Sequence, residues 1–251
     1  TVEAIPLIAS SIMSKKIAEG TSALVLDVKV GSGAFMKTLD RATELAKVLV
    51  QLGQDAGVKT SALLTDMSTP LGLKIGNALE VEESIEVLTG GGPEDVVELT
   101  VELAKEMLMH VGITGVDPRE NLNNGKAMDI WRKMIAAQGG NLDAPMAKAK
   151  EWHTIRASDS GYLYQLDALS LGVASWRLGA GRERKEDAVQ FGAGIELHHQ
   201  LGAEVKAGDA LMTLFTDTPE KFERAIEIAQ SGIMISDAVP PERKLILGKI
   251  S

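Results

Sequence analysis

A strand, helix and strand pattern between residues 23 and 66 restricts the fold more than any other feature of this sequence. In the segment ALVLDVKV (23–30) the apolar residues Leu24, Leu26, Val28 and Val30 share one face of a strand, and the segment 42–57 has the periodicity of an amphipathic helix that ends at a glycine. A second apolar strand, TSALLTD (60–66), follows. Two strands joined by a helix pair in parallel through a right-handed crossover, so the pattern predicts an α/β fold.

The rest of the chain divides into a helical stretch and a region of shorter strands. Helix signals cover residues 77–88, 93–110 and 123–137, and a polar, alanine-rich connector follows at 141–151. Beyond the connector, short strands alternate with glycine-rich turns and with two helices, at 167–178 and 219–230. We therefore predict a mixed, largely parallel sheet with flanking helices, followed by a C-terminal α+β domain. The predicted domains are residues 1–20, 21–145 and 146–251.

Composition excludes several classes of protein. The chain has 251 residues, 45% of them hydrophobic and 24% charged, which is typical of a globular protein. Its net charge of −9 argues against a general nucleic-acid binder, because phosphate backbones require clustered lysine and arginine. No apolar run approaches the roughly 20 residues of a membrane-spanning helix. The absence of cysteine excludes disulfides and thiolate metal sites, and it fits a reducing compartment such as the cytoplasm.

The first candidate site lies in the apolar segment near the start of the sequence. Ser11 and Lys15 are four residues apart, so a helix would present both side chains on one face, with Ile8 on the same stripe. An apolar wall beside a hydroxyl and an ammonium group is suited to binding a small molecule. The alternative is a solvated polar strip on a surface helix.

A set of motifs spread over essentially the whole chain resembles the thymidine and pyrimidine-nucleoside phosphorylases. The resemblance is carried by SIMSKK (11–16), LVLDVKVGSGAFM (24–36), ALLTDM (62–67), GNALEV (76–81), NNGKA (123–127), LGAGRERKEDAVQFGAG (178–194) and GAEVKAGDAL (202–211). As a set, these motifs are highly specific.

The resemblance implies a function and a role for particular residues. In that family the serine and lysine that match Ser11 and Lys15 hydrogen-bond the pyrimidine base, and the apolar contacts to the base match Ile8, Phe35 and Val2. The implied reaction is phosphorolysis of a pyrimidine nucleoside, with inorganic phosphate as co-substrate and no organic cofactor. The family is cytoplasmic and homodimeric.

The resemblance also implies that this sequence is the C-terminal portion of a phosphorylase. The family binds phosphate through a segment rich in glycine and serine that lies upstream of the matching serine and lysine, and this sequence does not contain it. The expectation is that the chain alone has little or no activity.

A monovalent cation is a further expectation from the resemblance. Some members of the family hold one with a glutamate that matches Glu83 and with loop carbonyls that match Leu71 and Lys74. The alternative is that Glu83 is a surface residue of a helix.

Three other polar features each have two interpretations. The turn 31–33 (GSG) follows a strand and either presents backbone donors to an anion or shapes the pocket and places Phe35. Asp27 and Lys29 lie on one side of the first strand and are predicted to form an ion pair. The basic stretch with Arg182, Arg184 and Lys185 suggests phosphate binding, but balancing acidic residues favour a solvated loop.

The C-terminal segment 202–218 resembles the hammerhead turn of lipoyl and biotinyl carrier domains. Those carriers have a lysine where this chain has Thr218, so an attached cofactor is not expected. Two alternative functions are an enzyme of the anthranilate phosphoribosyltransferase type and a non-catalytic interaction or oligomerisation module.

Overall fold

A computed structural model describes residues 4–182 and 184–251 of the chain. The elements, in chain order, are α1 (Ile5–Ala18), β1 (Ala23–Val30), α2 (Leu39–Asp55), β2 (Lys59–Asp66), β3 (Lys74–Gly76), α3 (Asn77–Leu88), α4 (Glu94–His110), α5 (Arg119–Asn123), α6 (Lys126–Ala137), β4 (Glu151–Arg156), β5 (Gly161–Leu166), α7 (Ala168–Ser175), β6 (Gly194–Leu197), β7 (Glu204–Val205), β8 (Ala210–Thr216), α8 (Phe222–Ser231), β9 (Ile233–Ser236) and β10 (Ile246–Ile250). A π-helical turn, Trp176–Ala180, follows α7, and a 3-10 turn, Pro219–Lys221, precedes α8. The chain is thus of mixed α/β class, as predicted, although the sheet predicted to be largely parallel has one parallel and one antiparallel pairing.

The chain forms two compact units, each built from separate segments. Unit 1 contains Thr1–Ser68, Val97–Arg119 and Arg243–Ser251, and unit 2 contains Thr69–Val96 and Glu120–Glu242. This division follows spatial compactness, whereas the boundaries near residues 20 and 145 divide the sequence into contiguous domains. Those boundaries stay a prediction.

Unit 1 is built on a three-stranded mixed sheet in the order β1-β2-β10. Strands β1 and β2 are parallel, with Ala23 opposite Lys59 and Val30 opposite Asp66, which confirms the predicted crossover through α2. The third strand, β10, pairs antiparallel with β2. Helices α1 and α2 share a core with one face of this sheet, because the alternating residues of β1 meet the apolar stripes of both helices.

Unit 2 contains two antiparallel sheets, in the orders β3-β6-β8-β4 and β7-β5-β9. Their apolar faces and helices α7 and α8 share a second core, whose most deeply buried side chains include Leu163, Leu171, Leu178, Ile195, Met212 and Leu214. No helix in residues 4–182 or 184–251 combines the length and apolar character needed to cross a bilayer.

Candidate functional site

Helix α1 is anchored by one buried stripe. Ile5, Ala9 and Met13 recur every four residues, and each is at most 4% exposed because it packs into the core of unit 1. A proline in the first turn suits the helix start, and Lys15 and Lys16 in the last turn suit its negative end. The chain leaves the helix through Gly20, whose φ of +73° is readily adopted by glycine.

The two candidate polar residues lie outside that stripe. Ser11 and Lys15 are both exposed and are one helical turn apart, while Ile8 is half-buried beside the core. Within the described part of the chain, neither Ser11 nor Lys15 has a side-chain hydrogen bond or an ion-pair partner. The neighbouring Lys16 differs, because its ammonium group lies 3.1 Å from the carboxylate of Glu19. Ser11 and Lys15 therefore keep all their donors for a ligand.

The turn that carries Phe35 is fixed by backbone hydrogen bonds. The amide of Gly31 donates to the carbonyl of Met36 at 3.0 Å, and the amide of Gly33 donates to the carbonyl of Met67 at 2.9 Å. Phe35 is left 68% exposed at the tip of the turn. Since both glycine amides are already satisfied within the chain, the geometry favours a turn that presents Phe35 over a turn that cradles an anion.

Gly31 cannot carry a side chain in this turn. Its φ is +131°, and a Cβ atom would lie 2.3 Å from Ser68 Oγ and 2.6 Å from Ser68 N. The ends of β1 and β2 can thus approach each other this closely only because position 31 is a glycine.

Two further predictions for residues of unit 1 have different outcomes. The Lys29 ammonium lies 2.6 Å from Asp27 Oδ2, which confirms the predicted ion pair. The other carboxylate oxygen of Asp27 accepts a hydrogen bond from the Thr65 hydroxyl. Val2 lies outside the described residues.

Glu83, the predicted cation ligand, is a buried residue of unit 2. It is 6% exposed, so the alternative of a surface glutamate is wrong. Its Oε1 accepts a hydrogen bond from the Leu73 amide at 2.8 Å. Burial raises the pKa of Glu83, and the hydrogen bond from Leu73 opposes that rise. The carboxylate therefore holds the loop before β3 in place.

Of the other predicted cation ligands, Leu71 lies in that loop and Lys74 is the first residue of β3. The ammonium of Lys74 lies 2.8 Å from Glu86 Oε1 and 3.6 Å from Glu82 Oε2. Burial disfavours its charge, but the hydrogen bond and the negative charges outweigh burial and raise the pKa of Lys74. The side chain of Lys74 is thus engaged in ion pairs, and any part that Leu71 and Lys74 take in cation binding would come from their backbone carbonyls. Their assignment as ligands stays a prediction.

Sequence reasoning missed two residues that shape these regions. Asp95 accepts a hydrogen bond from the Gly72 amide at 3.1 Å, and its only sequence signal is an acidic residue in the first turn of α4. Arg243 donates to Asp66 at 2.8 Å across the end of β2. No sequence signal joins two residues so far apart in the chain.

The basic stretch outside these regions is solvated. Arg182, Arg184 and Lys185 are all exposed, as the interpretation of a solvated loop predicts.

Comparison with known proteins identifies two family profiles. Residues 1–128 match the a/b domain of the glycosyl transferase family, and residues 162–236 match the pyrimidine nucleoside phosphorylase C-terminal domain.

Curated relatives match over nearly the whole chain. A thymidine phosphorylase from Mycobacterium tuberculosis is 53% identical over 250 residues, which cover 100% of this chain and 58% of the relative. A pyrimidine-nucleoside phosphorylase from Staphylococcus epidermidis is 43% identical over 249 residues, covering 92% of this chain and 58% of the relative. A pyrimidine-nucleoside phosphorylase from Staphylococcus aureus is 42% identical over 250 residues, covering 95% and 58%.

The chain thus spans 58% of the length of each of these relatives. Both family profiles, together with identities above 40% along the chain, agree with the resemblance carried by its motifs. This chain belongs to the glycosyl transferase family that contains the thymidine and pyrimidine-nucleoside phosphorylases.

Proposed function

We propose that this chain supplies the base-binding wall of a pyrimidine-nucleoside phosphorylase, with thymidine among its substrates. In the reaction, inorganic phosphate attacks C1′ of the nucleoside, the glycosidic bond breaks, and the products are the free base and the sugar 1-phosphate. The observation that carries the proposal is the pair Ser11 and Lys15, which are exposed, lack partners within the described residues, and stand one turn apart on an anchored helix.

Lys15 is suited to stabilising the leaving group. Negative charge builds on the pyrimidine as the glycosidic bond breaks, and an ammonium group beside it interacts more strongly with the transition state than with the substrate. Ser11 adds a directional hydrogen bond that orients the ring. Ile8 and Phe35 offer apolar surface for the faces of the base, since Phe35 is exposed on a turn held by backbone hydrogen bonds.

The proposed enzyme also requires a co-substrate, forms a homodimer and binds a monovalent cation. Inorganic phosphate is the co-substrate, no organic cofactor takes part, and the enzyme is a cytoplasmic homodimer. A monovalent cation bound by Glu83 and by the backbone carbonyls of Leu71 and Lys74 would hold the loop before β3, a role for which the buried carboxylate of Glu83 is suited.

The test compares two neighbouring lysines. Phosphorolysis of thymidine and uridine is measured for the 251-residue chain and for the variants Lys15→Ala and Lys16→Ala, and binding of thymine and uracil is measured in parallel by calorimetry. For the chain alone we expect little or no turnover, so base binding is its main measurement; in a full-length phosphorylase that carries these residues, we expect Lys15→Ala to lower turnover by roughly 10² to 10³, by analogy with the removal of an oxyanion donor. Lys16→Ala is the matched control, because Lys16 is paired with Glu19.

The binding measurement decides the proposal even where turnover is too slow to measure. Binding of a pyrimidine base that Lys15→Ala weakens and Lys16→Ala leaves unchanged supports the proposal. Equal effects of the two substitutions, or the absence of any binding of thymine and uracil, would contradict it and favour a non-catalytic module.

A further inference from the structure

A pocket lies within unit 2 and is formed by residues that the proposed reaction does not use. Its volume is about 490 Å³. The side chains and backbone that line it belong to Trp176, Arg177, Gly181, Asp187, Ala188, Glu220, Lys221 and Arg224.

One wall of the pocket is a tightly turned segment after α7. The chain kinks within Trp176–Ala180, where Gly179 has a non-helical φ of +111°. Gly181 then passes so close to Trp176 that a Cβ atom would lie 2.6 Å from the indole Cδ1. The Trp176 indole N–H donates to the carbonyl of Arg182 at 2.9 Å, and the Arg177 guanidinium carbon lies 4.3 Å from the Trp176 ring centroid.

Hydrogen bonds of Gln190 connect this wall to residues 216–218, the segment that precedes the other wall of the pocket. Its amide N–H donates to the carbonyl of Gly179 at 2.9 Å. Its side-chain oxygen accepts from Thr216 Oγ1 at 3.0 Å and from the Asp217 amide at 2.7 Å, and its side-chain nitrogen donates to Thr218 Oγ1 at 2.8 Å. The turn Pro219–Lys221 follows directly. The pocket is therefore held open by the fold, which reduces the cost of ordering it around a ligand.

The pocket has an excess of positive charge. Arg177, Lys221 and Arg224 contribute three cations, against the carboxylates of Asp187 and Glu220. The carboxylate of Asp187 already accepts a hydrogen bond from the Arg184 amide at 2.7 Å. A cationic pocket is unexpected on a chain with a net charge of −9, and it implies a local preference for anions.

Lys221 is the strongest single indication of a ligand. Its side chain is half-buried, and it has no ion-pair partner among residues 4–182 and 184–251. Arg224 is paired with Glu227, but both side chains are more than 65% exposed, so this pair contributes little and is easily exchanged. Ammonium and guanidinium groups around one pocket favour a tetrahedral oxyanion, which can accept several charge-assisted hydrogen bonds.

We propose that this pocket binds phosphate, either as the free ion or as the phosphate group of a small phosphate ester, through Lys221, Arg224 and Arg177. The proposal goes beyond the proposed function, since it concerns none of the residues that would contact the base. The two sources of the phosphate group share one chemistry and differ in whether a sugar is attached to the phosphate.

The experiment titrates the 251-residue chain separately with inorganic phosphate and with ribose 1-phosphate, following the indole N–H resonance of Trp176 by NMR and the affinity by calorimetry. Lys221→Gln and Arg224→Gln are each expected to weaken binding by about tenfold, the usual effect of losing one charge-assisted hydrogen bond. The matched control is Arg132→Gln, which removes another exposed arginine from an i,i+3 ion pair, with Asp129, outside the pocket. Tighter binding of ribose 1-phosphate than of phosphate would identify an ester as the ligand.

Three results would overturn the proposal. The first is saturation without any shift of the Trp176 resonance, and the second is an affinity that Lys221→Gln leaves unchanged. The third is a loss with Arg132→Gln as large as that with Arg224→Gln, which would indicate nonspecific screening. Circular dichroism establishes that each variant is folded, and Arg224→Gln carries the test if Lys221→Gln is not. The Lys15→Ala variant is expected to bind phosphate with the affinity of the unmodified chain. The phosphate-binding proposal and the base-binding proposal can therefore be contradicted independently of each other.

Discussion

The two regions that the sequence predicts to bind ligands differ in what their polar groups already do. On α1, Ser11 and Lys15 are exposed and, within the described residues, have no partner. In the loop before β3, Glu83 is buried and already accepts a hydrogen bond from Leu73. The first region has donors to spare for a ligand, whereas the carboxylate of the second region stabilises the chain itself. Substitutions in the two regions should therefore affect different measurements.

The largest expected effect on stability lies in the turn of unit 1 that presents Phe35. Gly31→Ala forces a side chain into a positive φ and against the backbone of Ser68. We expect the free energy of unfolding to fall by about 3 kcal/mol or more, the sum of backbone strain and overpacking. Urea denaturation followed by circular dichroism measures this change.

The control for that prediction is Gly57→Ala. Gly57 also has a positive φ, of +77°, but a Cβ atom there would meet no atom within 4 Å. A loss of stability for Gly31→Ala no larger than that for Gly57→Ala would show that the contact with Ser68 is unimportant.

The second largest effect on stability is expected for removal of the Glu83 side chain. Glu83→Ala leaves the Leu73 amide without its partner and empties a buried volume, so we expect a loss of about 2 kcal/mol in the free energy of unfolding. The same denaturation assay measures it, with exposed Glu98 replaced by alanine for comparison. A change below about 0.5 kcal/mol would mean that the carboxylate is not structural.

The contribution of Glu83 to the free energy of unfolding is expected to depend on pH. The folded-state pKa is raised above its usual value of 4.5, so the folded chain binds more protons than the unfolded chain just above that pH. Stability contributed by this group is then lost as the pH rises from 4.5 through the folded pKa. Glu83→Gln keeps an acceptor oxygen for Leu73 and does not titrate, so its stability relative to the unmodified chain should increase across that range.

Denaturation at a series of pH values tests this prediction. The same measurement in potassium chloride tests the proposed monovalent cation. A bound monovalent cation would favour the ionised carboxylate and stabilise the unmodified chain more than Glu83→Gln. Sodium and potassium salts with equal effects on both chains would argue against the proposed cation.

The smallest effect on stability is expected for Ser11→Ala. Because Ser11 is exposed and has no side-chain partner in the described residues, the free energy of unfolding should change by less than about 0.5 kcal/mol. Binding of thymine or uracil should nevertheless weaken by about tenfold through loss of one hydrogen bond. A variant that loses stability without losing affinity would reverse the contrast between the two regions.

Local patterns explain which parts of the site could be predicted. The alternation of residues 23–30 placed Asp27 and Lys29 on one side of β1, and the four-residue spacing placed Ser11 and Lys15 on one side of α1, because helix and strand geometry follow from backbone sterics. The burial of Glu83 was not predictable in this way. Helix α3 is rich in glutamate, a composition typical of a solvated surface. Glu83 is buried only because the loop 71–73 packs against it.

The sequence by itself determined the strand, helix and strand order of β1, α2 and β2, the parallel pairing of β1 with β2, and the motifs that identify the family, because these depend on residues that are close along the chain. Only the tertiary structure decided that Glu83 is buried, that Asp66 pairs with Arg243, and that Arg177, Lys221 and Arg224 line one pocket. Those contacts join residues separated by loops and whole elements. Their formation depends on the packing of the cores, which no local pattern contains.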